Sequence, residues 1–349
     1  MTKTVRVAIT STLDPVHYQA ITGVSPSVSL LADPDLIAPK RFSGDHEGDP
    51  GFVRSPAQQA AFERLLADAD ILYGIPDGRP ASLAAAIRAN PDLSWVHTMA
   101  AGGGAQVRMA GLSAQELRRV VFTTSAGVHG TTLAEFALFG VLAGAKDLPV
   151  LQALQRDRRW AGRWPMRQVG EQTILVVGLG GIGREVARLM KAVGAGVIGV
   201  KRRPEPVACV DEVHPIRALP ELVGRADAIV FTLPGTAATE GLYSRELIAA
   251  TKPGAVVVNV GRGTVIDEDA LVDALDTGRL SSAYLDVFAV EPLPTESRLW
   301  SMPQVVLAPH TAALSPHEEA RIVALFADNL DRWLNGRELH NVVDTHEFY

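Results

Sequence analysis

Short apolar, β-branched runs alternate with stretches of helical spacing over the first hundred positions. VRVAIT (5–10), ILYGI (71–75) and SWVHTM (94–99) predict strands, while PAQQAAFERLLADAD (56–70) and PASLAAAIRAN (80–90) predict helices between them. Strands alternating with helices imply βαβ units and a parallel sheet. RFSGDHEGDPGFVRSP (41–56) is rich in Gly, Pro and Asp and reads as an exposed loop. AAGGG (100–104) ends the third strand, either as a flexible turn or as a place where a ligand comes close to the backbone.

A long helix begins near Thr131 and runs through LAEFALFGVLAGAK (133–146). Its apolar residues cover most of its circumference, so it is expected to lie buried between layers. Segment 152–170, with its Arg, Trp and Gly, reads as a connector. A second series of strand-like runs follows: TILVVG (173–178), GVIGV (196–200), AIVFTL (228–233), AVVVNV (255–260), AYLDVF (283–288) and VVLAP (305–309). Helical segments separate most of them, the order expected of a doubly wound sheet. An amphipathic helix over about 316–335 closes at Asn335–Gly336, a good helix stop.

Length and composition narrow the class. A chain of 349 residues, 47% of them hydrophobic, is long enough for two or three domains with separate cores. The net charge of -6 argues against general nucleic-acid binding, which needs a clustered positive field. Cys209 is the only cysteine, so neither an internal disulfide nor a cysteine metal site can form, and we assign no metal. Met1 leads through a short polar stretch to the first strand, without the apolar run of a signal peptide, and no membrane span is evident. These features predict a cytoplasmic protein.

The sharpest local signal is Gly178-Leu-Gly180-Gly181-Ile182-Gly183, placed directly after an apolar strand and before REVARLMKAVG. In this GxGxxG pattern the first glycine permits a tight turn, the second lets the backbone approach a pyrophosphate, and the third lets helix and strand pack closely. The free amides and positive end of the helix favour the phosphates. A structural glycine turn is the plainer alternative, but the flanking strands favour a dinucleotide. An NAD site carries an acid roughly 20 residues past the motif. Here the next strand ends in Lys201-Arg202-Arg203, cations suited to a 2′-phosphate rather than to a 2′-hydroxyl. NADP(H) is therefore the expected cofactor, with NAD(H) as the alternative.

Three ionisable residues follow later strands: Arg262 in GRG, Glu291 in VEPLP and His310 in PHTAALSP. Singly, each has a plain role as a surface cation, a loop acid or a structural histidine; the other histidines, His97 and His129 among them, are read as structural. Together they suit reduction of a 2-keto acid. Arg262 offers a planar fork for the carboxylate and the polarised carbonyl. His310 can protonate the developing alkoxide near neutral pH, and Glu291 can orient the imidazole and stabilise its charged form. The amides of Ala101, Gly102 and Gly103 are candidate donors to the remaining carboxylate oxygens.

Taken with AGVHGTTLAEFAL, VVGLGGIGREVARLMKAVG, VNVGRGTVIDEDALVDAL, LDVFAVEPLP and APHTAALSP, the chain from about residue 70 onward resembles the D-isomer-specific 2-hydroxyacid dehydrogenases. The resemblance implies an α/β fold of two doubly wound, parallel-sheet domains, Rossmann-like and flavodoxin-like. A nucleotide domain (105–310) is inserted into a substrate domain (1–104 and 311–349), with substrate between them. It implies that Arg262, Glu291 and His310 are the catalytic set, that Asp286 meets the nicotinamide, and that Leu233 and Pro234 lie near the adenine and ribose. Thr239, Val260 and Gly261 complete the implied cofactor side. It also implies a homodimer formed through the nucleotide domain, to which Trp160 and Trp164 either contribute or pack locally.

Two departures refine this picture. Lys201 replaces the family's usual acid, as in its NADP-dependent members. The Gly102-Gly103-Gly104 loop replaces a hydrophobic residue and an Asp, which leaves the substrate open. Glyoxylate or hydroxypyruvate reduction is the expected activity. Oxidation of a phosphorylated 2-hydroxy acid is the alternative, and a non-catalytic nucleotide sensor the rival of a different class.

Overall fold

The computed structural model describes residues 4–348; the polar start Met1–Lys3 lies outside the described residues. The chain divides into two compact units, one running up to His129 and resuming at Leu314, the other spanning Gly130–Ala313. The expected breaks at 104/105 and 310/311 are therefore displaced. Segment 105–129 stays with the first unit because its strand pairs in that unit's sheet. Residues 311–313 stay with the second because Asp286 binds the Thr311 and Ala312 amides and Thr132 Oγ1 donates to the Ala313 carbonyl at 3.0 Å.

The first unit holds β1 (Val5–Ile9), β2 (Val28–Leu31), β3 (Ile71–Tyr73), β4 (Trp95–Thr98) and β5 (Val121–Thr124), in the order β2-β1-β3-β4-β5, all parallel. Three of these match the expected runs; β2, whose apolar residues Ser29 interrupts, was not expected, nor was β5, although it is an unbroken β-branched and aromatic run. The helix Pro56–Ala67 starts where Ser55 and Gln58 form a reciprocal capping box and Pro56 occupies the first turn. The helix Pro80–Ala89 buries Leu83 and Ile87 against one face of the sheet. The other face is covered by the last helix, Glu318–Leu334, through Ile322, Val323, Phe326 and Leu330. The Phe326 ring stacks on Trp95 with centroids 4.9 Å apart.

The second unit holds β6 (Thr173–Val177), β7 (Gly196–Lys201), β8 (Glu212–Pro215), β9 (Ala228–Phe231), β10 (Ala255–Asn259), β11 (Leu280–Leu285) and β12 (Val305–Leu307). Their order is β12-β11-β10-β9-β6-β7-β8, again all parallel. The half-buried edge strand β8 has no apolar run to announce it. Helices cover both faces, as continuous apolar strands such as AVVVN require. The helix Gly130–Ala145 lies against the sheet where Gly140 and Gly144 leave room for Tyr284 and Val256. It is not covered on all sides, as its composition suggested: Phe139 and Leu142 face solvent.

The loop 41–56 is likewise less exposed than its composition implied. Asp45 is buried, held by Arg41 through two bonds of 2.8 and 2.9 Å that keep its carboxyl well below the usual range. Beside it, one oxygen of the buried Glu318 carboxylate accepts from His46 Nε2 at 3.0 Å and from His129 Nε2 at 2.9 Å. Burial pushes this carboxyl up, but the two imidazoles outweigh it and hold the carboxyl down at about 2, against an ordinary 4.5. A depressed carboxyl contributes stability above its unfolded value and loses it as pH falls through the folded value. Glu318→Gln should thus lower stability at neutral pH by about 2 kcal/mol in guanidinium unfolding. The gap from the native protein should close between pH 4.5 and about 2. A gap that is absent at neutral pH, or constant through this window, would contradict the assignment.

Candidate active site

β6 sits where the strand order reverses: the chain passes from it to β7 and β8 on one side, then returns to β9 on the other. Open α/β sheets bind ligands at the carboxyl ends beside such a reversal. The turn leaving β6 is built from close approach. Gly178 has φ +107, and a Cβ there would meet Thr232 Oγ1 at 2.8 Å; a Cβ on Gly183 would lie 1.8 Å from the Gly178 carbonyl oxygen. Thr232 Oγ1 donates to that same oxygen at 2.6 Å, tying β9 to the turn. The helix Gly181–Ala192 can begin at this distance from β6 only because Gly183 has no side chain. At Gly180 the situation is opposite: a Cβ would meet nothing within 4 Å. Open space thus lies over the first amides of the helix, where Gly181 is exposed and Ile182 half-buried, and the residues fit a dinucleotide pyrophosphate.

Lys201 ends β7, half-buried, with Arg202 and Arg203 exposed after it. The exposed Glu205 carboxylate stands 3.8 Å from Lys201 Nζ. Next to β6, β9 leads into Leu233 and Pro234. Thr239 Oγ1 donates to the Pro234 carbonyl at 2.6 Å and accepts from Thr236 N at 2.9 Å, so Thr239 closes this loop from inside.

The ends of β10, β11 and β12, three adjacent strands, bring the ionisable residues together. After β10, buried Val260 and Gly261 lead to exposed Arg262, whose Nη1 donates to the Gly261 carbonyl at 2.7 Å. Gly263 presses on the Phe288 backbone, where a Cβ would come within 1.8 Å of the carbonyl carbon. The Phe288 amide donates to Glu291 Oε1 at 2.9 Å, and Glu291 Oε2 meets His310 Nδ1 at 2.7 Å. A carboxylate can only accept, so Nδ1 carries a hydrogen and Nε2 is the nitrogen presented outward. His310 has φ +53, a left-handed conformation uncommon outside glycine. It is held there because its amide donates to the Asp286 carbonyl at 2.9 Å, while Asp286 Oδ1 accepts from Thr311 N and Ala312 N at 2.8 and 2.9 Å. Asp286 is almost fully buried; burial raises its carboxyl pKa, and the two amides oppose the rise.

The NAD-binding-domain model of the D-isomer-specific 2-hydroxyacid dehydrogenases matches residues 138–312, half of the chain and nearly all of the second unit. The chain belongs to this family. It is 36% identical over 220 residues to a glyoxylate/hydroxypyruvate reductase B of Pectobacterium atrosepticum, covering 61% of this chain and 68% of that protein. It is 35% identical over 226 residues to the D-3-phosphoglycerate dehydrogenase of Mycobacterium tuberculosis, covering 64% of this chain but only 42% of the longer relative. The fold superposes with a TM-score of 0.77 and 27% identity on an NADPH-dependent glyoxylate/hydroxypyruvate reductase from Sinorhizobium meliloti, solved with NADP and sulfate, over 99% of this chain and 100% of that one.

The second unit gathers Arg262, Glu291, His310, Asp286 and the glycine turn along one sheet edge. Ala101, Gly102 and Gly103 belong to the first unit, just before its helix Gly104–Met109. The Gly103 amide donates to the Ala100 carbonyl at 3.2 Å. His97 is wholly buried between Thr123 and Ser125 and pushed down to about 3 by burial, a structural histidine as expected. His129 is structural too, on Glu318. Thr232 and Asn259 were missed. Both are polar residues at the ends of apolar strands, and that position was the available signal.

Proposed function

We propose that the protein is an NADP(H)-preferring 2-keto acid reductase of the D-2-hydroxyacid dehydrogenase type, acting on glyoxylate, hydroxypyruvate or a similarly small acid. The observation that carries this reading is the 2.7 Å Glu291–His310 bond at the end of the strand next to that of Arg262. Gly178, Gly180, Gly181, Ile182 and Gly183 would hold the dinucleotide, which supplies the hydride when bound. Lys201, Arg202 and Arg203 would neutralise its 2′-phosphate in place of the usual acid. Arg262 would receive the substrate carboxylate and polarise the carbonyl. Glu291 orients the imidazole and stabilises it when charged, so that His310 Nε2 hands its proton to the oxygen as it gains negative charge. Asp286 keeps the His310 loop in place while this happens.

The same reading includes a homodimer. Trp164 packs locally, its Nε1 donating to Asp147 at 2.9 Å, but Trp160 is fully exposed. Leu151, Leu154 and Met166 line a groove with these two rings, and Phe139, Leu142 and Val150 are exposed on neighbouring helices. An apolar surface of this kind suits a second copy of the chain.

A screen of NADPH and NADH against glyoxylate, hydroxypyruvate, pyruvate and 3-phosphoglycerate tests the activity. NADPH should give much the higher catalytic efficiency with a non-phosphorylated acid; parity with NADH would overturn the cofactor preference. His310→Asn keeps a residue that accepts the left-handed backbone but removes the proton donor. It should cost roughly 10²–10⁴ in turnover, and a near-native rate where chemistry limits would refute the assignment. Sedimentation equilibrium should find a dimer that Trp160→Ser weakens; a native protein that stays monomeric at micromolar concentration would remove the dimer from the proposal.

A further inference from the structure

Asn259, the last residue of β10, is 1% exposed, and its side-chain amide spends both of its ends on the turn that carries Arg262. Asn259 Oδ1 accepts from the Gly261 amide at 3.0 Å, and Nδ2 donates to the Arg262 carbonyl at 3.0 Å. Only one orientation of the side-chain amide satisfies both bonds. The peptide between Gly261 and Arg262 lies between the two peptides that Asn259 grips, and its oxygen is the one that Arg262 Nη1 holds at 2.7 Å. The direction of the guanidinium is therefore set through Asn259. Its main-chain carbonyl also accepts from the Asp286 amide at 3.0 Å, and Asp286 in turn anchors His310. One buried side chain thus fixes the arginine turn at the point where it joins the support of the histidine loop.

We infer that Asn259 is a positioning residue for the reaction: it acts through Arg262, holding the guanidinium at the angle that receives the substrate carboxylate. The inference rests on the reductase reading above. Asn259→Ala frees the Gly261 amide and the Arg262 carbonyl but leaves the strand's main-chain bonds intact. A misplacement of about 1 Å can cost on the order of 10²-fold in rate.

The test is a double-mutant cycle of Asn259→Ala with Arg262→Ala, read by kcat/KM for glyoxylate with NADPH and by the Kd of oxalate for the NADP-loaded protein. Hydrogen exchange at the 261–265 backbone gives a third readout that does not depend on activity. Asn259→Ala should lower kcat/KM and weaken oxalate about tenfold or more, leave NADPH affinity within about twofold, and speed exchange at Gly261. In the Arg262→Ala background it should add almost nothing, since residues acting as one unit are not additive. Costs that multiply in the double variant, or an unchanged oxalate Kd and exchange rate, would overturn the inference alone. A native protein that neither turns over a 2-keto acid nor binds oxalate would overturn the reductase reading and this one with it. Should Asn259→Ala not fold, Asn259→Asp serves in the same cycle: it is isosteric and keeps the acceptor for Gly261 but loses the donor to Arg262.

Discussion

Every strand of the seven-stranded sheet runs in the same direction, so every chain segment leaving it at a carboxyl end does so along one edge. The rest of the candidate site depends on that constraint. Gly178, Lys201, Leu233, Arg262, Asp286 and His310 are far apart in sequence, yet each lies at or within a few residues of the end of one of six adjacent strands. The sheet can be parallel only because its connections cross its faces as helices, and those helices bury the continuous apolar strands. The core and the site are thus two results of one arrangement.

Along that edge, precision comes from buried polar groups rather than from the exposed ones that would do chemistry. The left-handed backbone at His310 costs on the order of 1–3 kcal/mol and persists only where the surroundings over-determine it. Asp286 supplies that over-determination with one carbonyl and one carboxylate oxygen spent on three consecutive amides. Asn259 performs the equivalent service for the arginine turn. Both are nearly inaccessible to solvent. The groups that stay open, Arg262 and the outward nitrogen of His310, are the ones left available to a ligand.

How much of this was legible in the chain depended on how local the signal was. The second series of strands showed in its apolar runs, and the glycine turn and the Arg262, Glu291 and His310 motifs could be read directly. β2 and β8 could not, because Ser29 interrupts one and Glu212, His214 and Pro215 dominate the other; β5 carried a strand-forming run, VFTT, that was passed over. The break between units lies later than expected because the pairing of β5 with β4 ties segment 105–129 to the first sheet. Loop 41–56 looked solvated because Gly, Pro and Asp dominate it, whereas Asp45 and His46 are drawn inward by Arg41 and Glu318. The supporting role of Asn259 is set by the shape of a turn, which a residue list does not contain.

The first unit is discontinuous, and this bears on the order in which the protein can be made. A ribosome releases residues 130–313 as one uninterrupted stretch, so the second unit can complete its core during synthesis. The first sheet emerges earlier, yet Trp95 must wait for Phe326 and His129 for Glu318, both of which follow the whole second unit in the chain. While the second unit is being made, the amino-terminal segment therefore has only the short helix Tyr18–Thr22 to cover the face of its sheet on which Phe326 packs, and Trp95 stays without that ring partner.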